Sequence, residues 1–161
     1  MLKWFNSKKK KSEIQVAKPE IIPMKPMTYH PKIIMAWVKA LEGNHEITKW
    51  LNENGFAELP IACSAIYLKN EARTWLMENG YPHLLAMINA AEGNLRALRW
   101  LEKNNMDLLA NMAKAIEDDQ NAWAWLKHNA TQDLFILTQT IKRIKDGIEE
   151  KHNDIHSFGK D

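Results

Sequence analysis

The chain has a single cysteine, Cys63, so no disulfide can close within it. That scarcity fits a reducing compartment. No stretch approaches the roughly 18 consecutive apolar residues that a membrane-spanning helix needs, so none is expected. Met1 to Ser12 brings charge with no apolar segment behind it, which argues against a secretory leader. There is no glycine-rich phosphate loop, no nucleophile motif and no dinucleotide fingerprint. The six histidines form no ligand pattern with carboxylates or the thiol. His152 and His156, spaced i, i+4, would chelate weakly at best. No metal, cofactor or enzymatic activity is therefore expected.

What is present has the length of one domain: 161 residues, 45% hydrophobic and 26% charged. The net charge of +2 conceals an asymmetry. Residues 1–32 hold eight lysines against Glu13 and Glu20, or +6, and residues 33–161 carry −4. An acidic body repels phosphate, which disfavours a nucleic-acid groove. The N-terminal tail combines Trp4 and Phe5 with Lys8, Lys9, Lys10 and Lys11. It reads either as a solvated tail or as a peripheral foothold on anionic lipid. The organisation expected is a basic, proline-containing tail over 1–31, a helical repeat domain over 32–152 and a polar tail over 153–161.

The strongest signal is self-similarity. Trp-Leu recurs at Trp50-Leu51, Trp75-Leu76, Trp100-Leu101 and Trp125-Leu126, at steps of 25 residues. Three residues before each Trp stand Ile47, Ala72, Ala97 and Ala122. Four after stand Asn54, Asn79, Asn104 and Asn129. Nine after stand Leu59, Leu84, Leu109 and Leu134, and fifteen after stand Ala65, Ala90, Ala115 and Thr140. Run backwards, the register finds Ile34 and Ala40, so a half-repeat precedes the first Trp.

Each unit reads as two short helices. Ile47, Trp50 and Leu51 fall at i, i+3 and i+4, on one helical face. Asn44, Asn94 and Asp119 are good N-caps, and Lys69 breaks that pattern in the second copy. Asn-Gly or Asn-Asn ends the Trp helix in the first three copies, since both residues tolerate the left-handed conformation. This spacing predicts that the tryptophans, Trp75 and Trp100 in particular, form the core. From Gln132 to about Lys151, Leu134, Leu137, Ile141, Ile144 and Ile148 line one face of a longer capping helix. Pro19, Pro23, Pro26 and Pro31 forbid a continuous helix earlier on. The apolar residues between them, Ile21 to Met27, could lie extended over the first repeat. The fold class expected is all-α: a superhelix (solenoid) of about four 25-residue helix-turn-helix repeats plus a C-terminal capping helix.

Ala90-Ala91-Glu92-Gly93-Asn94, followed by Trp100-Leu101 and Asn104-Asn105, resembles the helix pair of an ankyrin repeat. Ala40 to Gly55 is similar, and Gly80-Tyr81-Pro82-His83-Leu84 faintly echoes the T-P-L-H pattern. Ankyrin repeats run about 33 residues, and the missing stretch falls where their projecting β-turn fingers would be. The resemblance implies an ankyrin-like stack without fingers that binds a protein through helix faces and short turns.

The function expected is thus a non-enzymatic protein-interaction or scaffold module, monomeric and cytoplasmic, with an unidentified protein partner. The alternatives are a nucleic-acid-binding or base-modifying helical-repeat protein, a structural accessory, or a peripheral membrane adaptor working through the tail. One polar row, Ser64, Asn89, Lys114 and Gln139, is expected to face water on the concave side, flanked by Tyr67 and His83. Trp123 lies about 200° from Trp125 around the helix, so it is either exposed, as an anchor for a partner, or packed on the terminal helix. The Asn row is expected to cap helices, Cys63 to be buried and inert, and Glu117-Asp118-Asp119 to complement a helix dipole.

Overall fold

A computed structural model describes residue 24 and residues 27–157, with side chains through residue 153. The tail residues Trp4, Phe5 and Lys8 to Lys11 lie outside the described residues. Among these there are nine helices and no strand: α1 (Pro31–Leu41), α2 (His45–Glu53), α3 (Glu58–Ile66), α4 (Asn70–Glu78), α5 (Pro82–Ala91), α6 (Leu95–Lys103), α7 (Asp107–Ile116), α8 (Gln120–Asn129) and α9 (Gln132–Ser157).

The punctuation follows the sequence register. Asn44, Asn94 and Asp119 accept hydrogen bonds from backbone N–H groups of the turns they open, at 2.8–3.1 Å. Lys69 makes no such bond. Each ladder asparagine donates its side-chain amide to the carbonyl of the Trp four residues back, at 2.8, 2.8, 2.7 and 2.9 Å for Asn54, Asn79, Asn104 and Asn129. The chain then reverses through positive φ at Gly55, Gly80 and Asn105. The fourth copy has Ala130 there, in an extended conformation, and leads into the long α9.

Odd-numbered helices pack on one another in series, α1 on α3, α3 on α5, α5 on α7 and α7 on α9, while the shorter Trp helices flank them. The chain is therefore an all-α solenoid. Its ends are joined as well, because α9 packs on α1 as extensively as adjacent partners in the array do. Leu137 and Ile141 of α9 are buried. α9 also runs further than the pattern suggests, to Ser157, into the stretch expected to be tail.

The core differs from the expectation at one point. The fully buried residue of each Trp-Leu pair is the leucine: Leu51, Leu76, Leu101 and Leu126 are all 0% exposed. Trp50 is 44% exposed and Trp100 37%, and Trp75 and Trp125 are half-buried. Adjacent residues on a helix point about 100° apart, so only one of the two can sit at the centre of the buried stripe. The main core comes from the odd helices, where Leu59, Ala62, Ala65, Leu84, Met87, Met112 and Ala115 are nearly or wholly inaccessible.

The segment before α1 runs across the starts of the odd helices. Tyr29 packs edge-on against Phe56, and its hydroxyl donates to Glu58 Oε1 at 2.7 Å. Met27 packs on the core, and Met24 and Met27 line a cavity with His83 and Leu108. It thus reaches past the first repeat as far as α7. Glu58, His83 and Leu108 occupy one row of the repeat, 25 residues apart, so this strap reads along the array.

Candidate interaction surfaces

The polar row splits once placed. Ser64, Asn89 and Lys114 are half-buried, and only Gln139 is exposed. Asn89 accepts from Arg73 Nη1 at 2.8 Å, and Lys114 lies 3.7 Å from Glu102 of α6. At Asn89 and Lys114 the row therefore meets the neighbouring Trp helices. α9 crosses the other side of α3 and α5, where Ile141 and Ile148 meet Ile66 and Ile88 around a cavity of about 230 Å³. The two flanking residues also part company. Tyr67 is exposed, its hydroxyl donating to Leu41 O at 3.1 Å. His83 is 3% exposed and cannot flank a surface. It follows Pro82, the first residue of α5, and turns inward beneath the N-terminal strap. Trp123 takes the second of its two alternatives: it is half-buried, with its ring edge-on to Phe135 of α9, centroids 5.3 Å apart.

Electrostatics dock α9. Arg143 reaches Glu42 at 3.2 Å, Lys142 reaches Asp118 at 2.7 Å, and Lys145 pairs with Glu117. Asp119 alone caps α8, so the acidic run does more than complement a dipole. The Lys142 hydrogen bond holds the Asp118 carboxyl below its ordinary range, and Asp118 in turn raises Lys142. Arg73 performs a similar joining role, with Nη2 donating to Ala65 O at 3.0 Å while it pairs with Glu92. These links went unread in the sequence, although a signal was there: Glu42, Glu92 and Glu117 recur in one row opposite the basic run from Lys142 to Lys145.

Cys63 is buried, and that burial pushes its thiol up to about 12. A thiol so protonated is a poor nucleophile. Among the described residues no three His, Cys, Asp or Glu side chains converge as metal ligands, and no helix is long and apolar enough to cross a membrane.

The tryptophan row is what remains open. Trp50 stacks on Phe56 with centroids 6.2 Å apart and an 18° interplanar angle, and Trp75 stacks on Tyr81 at 6.1 Å and 11°. The partner ring stands six residues after the Trp, at the start of the next odd helix, so successive units are bridged by aromatic pairs. Met106 and Thr131 hold that position in the last two copies. Met77 and Leu95, on the same set of helices, are 57% and 61% exposed. Comparisons with protein-family models, with curated proteins and with solved structures find no match for this chain.

Proposed function

We propose that the chain is a non-enzymatic protein-interaction module and that its partner lies along the tryptophan edge. The observation that carries this reading is the exposure of Trp50 and Trp100 in a row that repeats with the fold. Water contact with large aromatic rings is unfavourable, and rigid Trp side chains anchor interfaces at low entropic cost. Phe56 and Tyr81 hold Trp50 and Trp75 in place before a partner arrives, which reduces the ordering cost of binding at that end of the row. The ankyrin-like helix pair supports the same class of function by analogy of fold. Here the fingers are missing and α9 covers Ile66 and Ile88 of α3 and α5, whereas Trp50, Met77, Leu95 and Trp100 on the Trp helices stay exposed.

The test is affinity capture followed by quantified binding. Trp50→Lys together with Trp100→Lys, checked for native helicity, should weaken a captured partner by about tenfold or more. Lys114→Glu with Gln139→Arg should leave binding within about twofold. Unchanged binding by the Trp variant would place the partner elsewhere.

A further inference from the structure

Four residues before and three after each ladder tryptophan, on the helical face it shares, the side chains change sign along the array. Trp50 stands between Glu46 and Glu53, Trp75 between Glu71 and Glu78, and Trp100 between Arg96 and Lys103. All six charged residues are exposed. The two middle Trp helices therefore carry opposite charge at equivalent positions of the repeat. Arg73 is half-buried and joined to Glu92, so the exposed face of α4 holds −2 from its two glutamates. The exposed face of α6 holds +2, from Arg96, Arg99 and Lys103 against Glu102. Elsewhere acids and bases meet within the chain, as Glu42, Glu117 and Asp118 meet α9. Glu71, Glu78, Arg96 and Lys103 form no ion pair among the described residues. Met77 of α4 and Leu95 and Trp100 of α6 add exposed apolar surface to the same two helices.

We propose that α4 and α6 bind a second copy of this chain across a twofold axis, in place of the monomer expected from the sequence. The inference rests on the tryptophan edge being the interaction surface and names its occupant. α4 and α6 are the same helix of successive repeats and run in the same sense. An axis between them, along their direction, sets α4 of each copy over α6 of the other, so each contact occurs twice. Glu71 then meets Arg96 of the second copy, Glu78 meets its Lys103, and Trp75 faces its Trp100. A twofold axis across the helices instead lays glutamate on glutamate and arginine on arginine, and opposed like charges exclude that pairing. A nucleic acid, or any ligand of one sign, is attracted at one helix and repelled at the other. Exposed ion pairs contribute little each. Charge therefore sets the register, and the aromatic and aliphatic side chains supply most of the affinity.

The experiment is sedimentation equilibrium of the full chain over a range of protein and salt concentrations. A monomer–dimer equilibrium is expected, weakened as salt rises. Reversing α4 (Glu71→Lys with Glu78→Lys) or α6 (Arg96→Glu with Lys103→Glu) should in each case weaken association by about tenfold or more. An equimolar mixture of the two reversed chains should then pair, one of each, because both contacts are again between opposite charges. Assembly beyond two chains, a dimer that ignores either reversal, or a mixture that fails to pair would overturn the proposal. If a reversed chain loses helicity, NMR of the wild type on dilution decides. The Trp75 and Trp100 indole signals should shift with concentration while that of buried Trp37 does not; shifts that spare Trp75 and Trp100 reject the interface. A wild type that stays monomeric overturns the proposal whatever the edge does. If a captured partner is then lost with Trp50→Lys and Trp100→Lys, the edge reading stands with another occupant; if it is not, both fall.

Discussion

Replacing Tyr29 by Phe removes one oxygen and, with it, the donor to a buried carboxylate. Glu58 is only 6% exposed, and the Tyr29 hydroxyl lies 2.7 Å from its Oε1. A hydrogen bond to a charged group contributes about 1.5–3 kcal/mol, mostly because the stranded charge keeps its desolvation cost. Tyr81 also senses Glu58, which raises its own phenol after the larger effect of burial, so a second donor can partly compensate. The lower end, about 1.5 kcal/mol, is therefore expected. For a chain of this size that is about 3–6 °C in melting temperature. Tyr29→Phe, Glu58→Gln and the double variant, compared by urea melts, should give a coupling of about 1 kcal/mol or more. The same contact has a pH signature. Burial first, and then the Glu58 carboxylate, push the Tyr29 phenol above its ordinary range. A folded-state pKa raised above the unfolded one adds stability that is present below about pH 10 and lost as pH rises beyond it. Wild type should lose stability above pH 10 more steeply than Tyr29→Phe. A variant within about 0.5 kcal/mol of wild type, with the same alkaline slope, would refute the strap's role in fixing the first repeats.

Other outcomes follow from the repeat. Leu101→Ala should cost about 3 kcal/mol, because the leucine is inaccessible and leaves a cavity; Trp100→Ala, at the rim, should cost less, about 1–2 kcal/mol, and the reverse order in urea melts would restore the Trp-centred core. Lys69→Asn supplies the cap that Asn44 and Asn94 provide in other copies and should raise stability by about 0.5–1 kcal/mol, whereas a loss would mean that α4 starts differently. Cys63, buried with its thiol pushed up to about 12, should resist alkylation at pH 8 until the chain unfolds. Rapid labelling of the native protein would contradict its packing.

Most of the fold was legible because its determinants are local and repeated. Asn44, Asn94 and Asp119 cap where their side chains dictate, and Asn54, Asn79, Asn104 and Asn129 each reach back one turn to a Trp carbonyl. The tryptophan misassignment has a physical root. Ile47, Trp50 and Leu51 share a broad helical face, and spacing alone does not say whether its centre falls on Trp50 or on Leu51. The wide indole fits the edge, where it can stack on Phe56, and the leucine fits the interior. The partnership of α9 with α1 joins residues about a hundred positions apart, as Arg143 and Glu42 do, and no local pattern announces it. Glu58 and His83 look like surface residues at helix starts until the strap lies over them. The row from Ser64 to Gln139 was correctly found to be polar, but polarity does not distinguish a solvated face from one hydrogen-bonded to Arg73.

The position of the indoles decides whether the tryptophan edge exists. Solvent paramagnetic relaxation of the tryptophan Nε1–H signals, assigned by single substitutions, measures that residue by residue. Trp50 and Trp100 should broaden strongly with an inert soluble relaxation agent and Trp75 and Trp125 to an intermediate degree, while Trp37, at 0% exposure, stays sharp. If Trp50 and Trp100 are as protected as Trp37, the ladder is core after all and the proposed partner edge does not exist.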